Sequence, residues 1–363
     1  MFEKDFESML RQYGDVIDDK KKFTGLIKDY FPDQAKTINL MLMAYEVGIV
    51  SQIQTAGKLN NAFAFRLVKQ LTEDYGLSRV YADWVVSIWC VCYGKNVLGK
   101  DCDINIQSGR EPAIIEENND GKGKKYGDLF NYRKSHQGEG LAVCGFSGDT
   151  SHTVIFQNVS GGKPVIEVGE GIFSGKDIEE IIITEGYQFI GKNAFDNNRV
   201  LHQVVMPYTL LEIGDQVFDG CGELRRIVLT ERLERIGAAA FRGTGLRTIV
   251  FPSSLYYVGA DAFAGCRELD NVKIPKNLDK VSDGMFEGCN ALKKIEFSEE
   301  LTEIGDRAFK DCVGLDIVTI PDSVTRIGET AFKGTNKMFI IQCSFGSYAE
   351  QYARAHKIKY QLV

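Results

Sequence analysis

Residues 304–328 read IGDRAFKDCVGLDIVTIPDSVTRIG. The stretch opens and closes on the same Ile-Gly pair. Between the pairs lie Ala-Phe, a cysteine and the run Leu-x-x-Val-x-Ile-Pro. Equivalent phenylalanines stand at Phe173, Phe195, Phe218, Phe241, Phe263, Phe286, Phe309 and Phe332, at intervals of 22, 23, 23, 22, 23, 23 and 23 residues. Self-similarity at a fixed period of this length marks a structural repeat. In the unit beginning at Leu269, Val272 and Ile274 lie two apart, the spacing of a short strand with one buried face. Pro275 ends that strand, because it has no N–H to give to a ladder. The same places hold Ile227 and Leu229, Ile249 and Phe251, Ile295 and Phe297, and Val318 and Ile320. Gly191, Gly214, Gly237, Gly259, Gly305 and Gly328 follow the second apolar anchor, with Ser282 standing there once. Glycine suits a turn that needs positive φ or a place where another backbone comes close. A unit of about 23 residues cannot bury its own apolar face, whereas units stacked along an axis can, each adding a parallel strand. The repeat therefore predicts a solenoid with one parallel sheet over 139–363. Its closing segment, 344–363, combines a short helix capped by Ser347 and Glu350 with a last strand.

Upstream the character changes. Residues 1–97 contain little glycine and show helical spacing, with Leu26, Ile27, Tyr30 and Phe31 on one stripe. Asp33 and Ser78 are placed to cap helices, and Tyr81, Val85, Ile88, Trp89 and Cys92 share one face before Gly94. This predicts a small all-α domain of about five helices, with Trp84 and Trp89 in its core. Residues 98–138 turn polar and read as a linker. The fold class expected is thus multidomain: an all-α N-terminal domain, then a β-solenoid.

The repeat grammar resembles the leucine-rich repeats of the BspA-like, Treponema pallidum-type class, over about residues 140–363 and in eight units. Members of that class are often bacterial surface proteins that bind host or matrix proteins, so the resemblance implies a binding role. The segments KDYFPDQAKTINLMLMAYEVGI and LTEDYGLSRVYADWVVSIWCVCYG look like a small helical module found at the ends of diverse intracellular bacterial proteins.

Composition narrows the partners. A net charge of −7 argues against nucleic acid. No apolar run approaches the ~18 residues of a membrane-spanning helix. The N-terminus MFEKDFESMLRQYGD lacks the pattern of a secretory signal. Nine cysteines, an odd number, cannot all pair within one chain. The expected location is the cytoplasm. The cell surface, with an adhesin role, is the alternative for a chain whose signal peptide has been removed.

Within each strand the residues beside the buried pair point outward, onto the concave side. One outward row reads Ile182, Val205, Val228, Val250, then Lys273, Glu296, Thr319 and Gln342. Four aliphatics bordered by Arg225, Arg226 and Arg247 form the candidate surface for an unknown protein partner. Alternatively the valines simply suit strands, or the helical domain folds back over them. Cys221, Cys266, Cys289 and Cys312 recur three residues after the phenylalanine; in stacked coils they would form a row rather than a tetrahedron, so a structural role is expected. No phosphate loop or nucleophile elbow is present. Cys144 and His152 mark the alternative of an enzyme at the junction of the helical domain and the first repeats. No catalytic residue, cofactor or metal is expected.

Overall fold

A computed structural model describes residues 2–31, 35–73, 79–104, 129–148, 150, 153–156, 159–160, 162–184 and 186–363. The chain divides into two compact units, Met1–Asn118 and Asn119–Val363.

The first unit is built from six α-helices among the described residues: Phe2–Gln12, Lys20–Tyr30, Ala35–Glu46, Ile49–Thr55, Asn61–Glu73 and Arg79–Ile88. This is one more than the count of about five expected, and Ile49–Thr55 is among those the sequence did not locate. Its seven residues carry too short an apolar pattern, Ile49, Val50 and Ile53, to stand out in the sequence. Helix Lys20–Tyr30 starts at Asp19, whose carboxylate accepts from the Lys22 N–H. The last helix widens into a π-helical stretch, Trp89–Lys95. Phe6, Phe23 and Trp89 are fully buried at the centre, and the Trp89 indole donates to the Met41 carbonyl at 3.2 Å. Trp84 is buried as well. The helix starts expected at Asp33 and Ser78 lie outside the described residues. Both flanks of the expected linker carry structure: Cys102–Asp103 pairs parallel with Leu59–Asn60, and Phe130–Lys134 is a strand. Residues 105–128 of that segment lie outside the described residues.

The second unit is the solenoid. Its first ladder is the parallel sheet that the sequence predicts, built in three pieces. Thr153–Phe156, Glu180–Ile183 and Gln203–Val205 form one, Asn271–Lys273 and Lys294–Glu296 the next, and Ile317–Thr319, Ile340–Cys343 and Lys359–Leu362 the last. Between Val205 and Asn271 the coils keep their buried pairs, Ile227 with Leu229 and Ile249 with Phe251, without strand pairing apart from one bridge, Thr248 to Asn271. A second parallel ladder, not foreseen from the sequence, runs through Phe189–Ile190, Glu212–Ile213, Arg235–Ile236 and Tyr257–Val258. It resumes at Lys280–Val281, Glu303–Ile304 and Arg326–Ile327. At its near end stand Lys163–Val168, Leu141–Phe146 and Phe130–Lys134, the last pair antiparallel.

A third set of coil-to-coil bonds surrounds the phenylalanines. The N–H groups of Asn193, Phe195 and Asn197 donate to the carbonyls of Asp215, Val217 and Asp219 one coil on, and the next coils repeat the pattern. Two residues of the turn, two before and two after the phenylalanine, are left-handed: Asn193 (φ 57°), Gln216 (57°), Ala239 (53°), Asp261 (56°) and Arg307 (55°) recur at one place, Asn197, Gly220, Gly243, Gly265, Gly288 and Asp311 four residues later. The rings between them are stacked, with centroids 5.2 to 5.9 Å apart from Phe173 to Phe332. Each coil thus covers the ring of the last. At the far end helix Tyr348–Ala355 takes over that task, with Tyr352 edge-on to Phe332 at 6.1 Å. Ser347 caps it by accepting from the Glu350 N–H. The Glu350 carboxylate accepts from the Gly346 N–H in return, one residue earlier than the capping box predicts.

Of the two reasons for glycine after the Ile anchor, close approach is the operative one. Gly259 does not have positive φ, yet a methyl group on it would lie 2.4 Å from the Ala238 nitrogen of the previous coil. Ser282 is accommodated with its hydroxyl donating to the Val258 carbonyl. Gly259→Ala is therefore expected to destabilise the solenoid by about 1–3 kcal/mol, the usual cost of overpacking. Ser282→Gly should cost less than about 1 kcal/mol. Urea denaturation of both variants measures the difference, and equal midpoints would contradict the close-approach account.

Candidate interaction surface

The alternation that aims side chains outward holds cleanly in the C-terminal half. Val272, Ile295 and Val318 are buried while Asn271, Lys273, Lys294, Glu296, Ile317 and Thr319 are exposed. In the N-terminal half it requires a correction. Ile182, expected on the exposed row, is 1% accessible. It sits on the middle strand of a three-stranded piece, paired on one flank with Ile155 and on the other with Val205, so no side of it is an edge. Gln203 is buried too. Val205 and Val228 are half-buried, and Val250 is 71% accessible. The aliphatic row is thus graded, closing at Ile182 and opening at Val250.

The arginines follow the open end. Arg225 is exposed and pairs with Glu223 at 3.2 Å; Arg226 is half-buried; Arg247 is exposed and pairs with Glu268 at 2.8 Å. The Arg247 N–H donates to the Arg225 carbonyl at 3.2 Å, which sets these two residues on adjacent rungs. Burial of an apolar partner against Val228 and Val250 would leave both guanidinium groups at its border, the arrangement of an apolar centre with a polar rim.

On the outward side of the second ladder Glu212, Arg235 and Tyr257 stand opposite one another, as do Lys280, Glu303 and Arg326. Arg235 lies 3.6 Å from Glu212 and 4.2 Å from the Tyr257 ring centre; Glu303 pairs with Lys280 at 2.8 Å and Arg326 at 2.9 Å. These charges are spent on one another, and exposed pairs of this kind contribute little each.

The cysteine row is structural, as its spacing implied. Cys221 donates to the Phe195 carbonyl, Cys266 to Phe241, Cys289 to Phe263 and Cys312 to Phe286, at 3.1 to 3.2 Å and always to the preceding coil. Asn198 makes the same bond to Phe173 at 2.7 Å. The threonines that replace them turn inward: Thr244 and Thr335 donate within their own coils, to Phe241 and Phe332. Burial pushes the thiols of Cys221 and Cys312 up to about 12 and that of Cys266 up to about 11. Among the described residues no three His, Cys, Asp or Glu side chains are grouped to hold a metal ion. Cys144 is exposed on strand Leu141–Phe146, and His152 lies outside the described residues.

Comparison with known proteins adds the following. A family model described as the BspA type leucine rich repeat region (6 copies) matches residues 151–270 and 211–339. Together the two stretches run from 151 to 339, more than half of the 363 residues. No curated protein matches the chain. Among solved structures, a leucine-rich repeat protein of T. pallidum is 28% identical over 52% of this chain and 88% of its own, with a TM-score of 0.49. One from Bacteroides ovatus is 25% identical over 65% of this chain and 66% of its own, with a TM-score of 0.48. A leucine-rich cell surface protein from Faecalibacterium prausnitzii is 18% identical over 59% and 86%, with a TM-score of 0.28.

Thiol reactivity separates the two kinds of cysteine, since the thiolate is the reacting form. A thiol alkylating reagent is expected to modify Cys144 in the folded chain, and to reach Cys221, Cys266, Cys289 and Cys312 only after denaturation. Peptide mass mapping reads the outcome. Labelling of the row at the rate of Cys144 would contradict its place inside the coils.

Proposed function

The chain belongs to the BspA-type leucine-rich repeat family, and from that premise we propose that it is a non-catalytic binding protein that holds a protein partner on the outward face of its first ladder. Family membership supports an interaction role in general. One observation carries the finer reading. Val250 presents an exposed aliphatic side chain on a face whose later rungs offer Lys273, Glu296 and Thr319. Val228 and Val205 extend it on one side, and Arg225 and Arg247 border it. An apolar centre with arginines at its margin is the composition that distinguishes the energetic core of an interface. The proposal includes a reducing place of work, because the row of thiols acts as hydrogen-bond donors from coil to coil, a role that oxidation would end.

The double variant Val228→Lys, Val250→Lys puts two charges at the centre of the proposed contact. It is expected to keep its circular dichroism and melting temperature within a few degrees and to lose at least tenfold in the amount of partner captured from the source organism. Asn271→Lys, an exposed change one rung away, should leave capture intact. Undiminished capture by the folded double variant would remove this face from consideration.

A further inference from the structure

The coil from Phe241 to Phe263 is one of the two with a 22-residue interval, and the missing residue can be located. The turn into its outward strand is Thr244-Gly245-Leu246, where its neighbours have Cys221-Gly222-Glu223-Leu224 and Cys266-Arg267-Glu268-Leu269. Two successive coils therefore present glycine four residues after the phenylalanine, Gly222 and Gly245. They pack so closely that a methyl group on Gly245 would lie 2.3 Å from the Gly222 carbonyl oxygen. The next coil restores a long side chain at that place, Arg267. The result is a groove of about 560 Å³ over the stacked turns, lined by Gly222, Gly245, Arg242, Arg267, Glu268 and Glu287 among others.

The charges of the groove are unevenly answered. Arg242 is held by Asp219 of the preceding coil, through its Nε and through Nη2. Glu268 is held by Arg247 at 2.8 Å. Glu287 takes both Arg307 at 2.5 Å and Lys310 at 2.6 Å. Arg267 has no ion pair or hydrogen bond from its guanidinium among the described residues, and it is exposed. Beside it Gly245 is buried, and its backbone N–H has no hydrogen-bond partner among the described residues. A buried N–H without a partner is rare in a folded chain. One unpaired cation and one unused main-chain donor, set in a trough that lacks side chains on two rungs, are complementary to a carboxylate on an extended main chain.

We propose that this groove binds an extended acidic segment of a protein partner, a carboxylate on the Arg267 guanidinium and a main-chain carbonyl on the Gly245 N–H. The inference rests on the binding role proposed above and adds the chemistry of the partner. Glu268 lines the groove and is paired with Arg247, the arginine that borders the aliphatic row, so a single segment with acidic and apolar residues can span both. A segment of the opposite charge would meet the unpaired Arg267 and be repelled.

Fluorescence anisotropy with the full chain tests this, using a labelled octapeptide of alternating Glu and Val and its Lys and Val counterpart. The Glu peptide is expected to bind and the Lys peptide to bind at least tenfold more weakly. Arg267→Glu should weaken the Glu peptide at least tenfold, and Arg267→Lys, which keeps the charge but loses the fork, by less. Arg199→Glu is the control: it occupies the same place in an earlier coil, four residues after Phe195 and away from the groove. It should change affinity less than twofold. Equal binding of the two peptides, an equal loss in Arg199→Glu, or full affinity in Arg267→Glu would overturn the proposal. Loss in Arg267→Glu with retention in Val228→Lys, Val250→Lys upholds the groove whatever becomes of the aliphatic row. Loss in the double valine variant alone places the peptide on that row and overturns the groove.

Discussion

A phenylalanine ring in this solenoid is buried only because the next coil lays its own ring over it, at 5.2 to 5.9 Å. No single coil of about 23 residues has enough interior to hide such a side chain, so every unit's stability is borrowed from its neighbours. The rest of the architecture serves that stacking. The left-handed residues turn the chain sharply on either side of the ring, glycines let backbones touch, and thiols and amides tie each turn to the carbonyl beneath. The end of the stack must be closed by something of the same shape. Helix Tyr348–Ala355 does so with an aromatic ring of its own, Tyr352.

What the sequence could reveal follows from which interactions repeat. The ring stack, the buried pairs Val272 with Ile274 and Val318 with Ile320, and the thiol row recur at a fixed interval and were legible because one geometry had to satisfy all copies. The second ladder escaped notice: its strands are two residues long, and one of the two is a different residue type in nearly every coil, from Phe189 through Glu212 to Tyr257. The left-handed positions filled by Gln216, Ala239 and Arg307 escaped for a related reason, since none of these residues advertises positive φ.

Burial of the outward face was the least legible property. Alternation assigns a side of the sheet, and it does so correctly for Asn271, Lys273, Lys294 and Glu296. It says nothing of what flanks or covers that side, and Ile182 and Val250, identical in the pattern, end up at opposite extremes of exposure. The groove depended on a single missing residue. The interval of 22 marks the deletion, but the stacking of the coils is what brings it beside two glycines and Arg267.

Between Val205 and Asn271 the first ladder lacks strand pairing, whereas the bonds around the ring stack pass through the same coils unbroken, from Gln216 to Ala238 and from Ala239 to Ala260. The solenoid is therefore a continuous spine with a front that is stitched by paired strands at both ends and only sparsely in the middle. The spine ties every one of these coils to the next, whereas the front there keeps isolated main-chain bonds, Arg247 to the Arg225 carbonyl and Asp270 to the Arg247 carbonyl. That sparsely bonded stretch holds Val228, Val250, Arg225 and Arg247, so the face proposed to touch another molecule is also one with few main-chain ties between its coils.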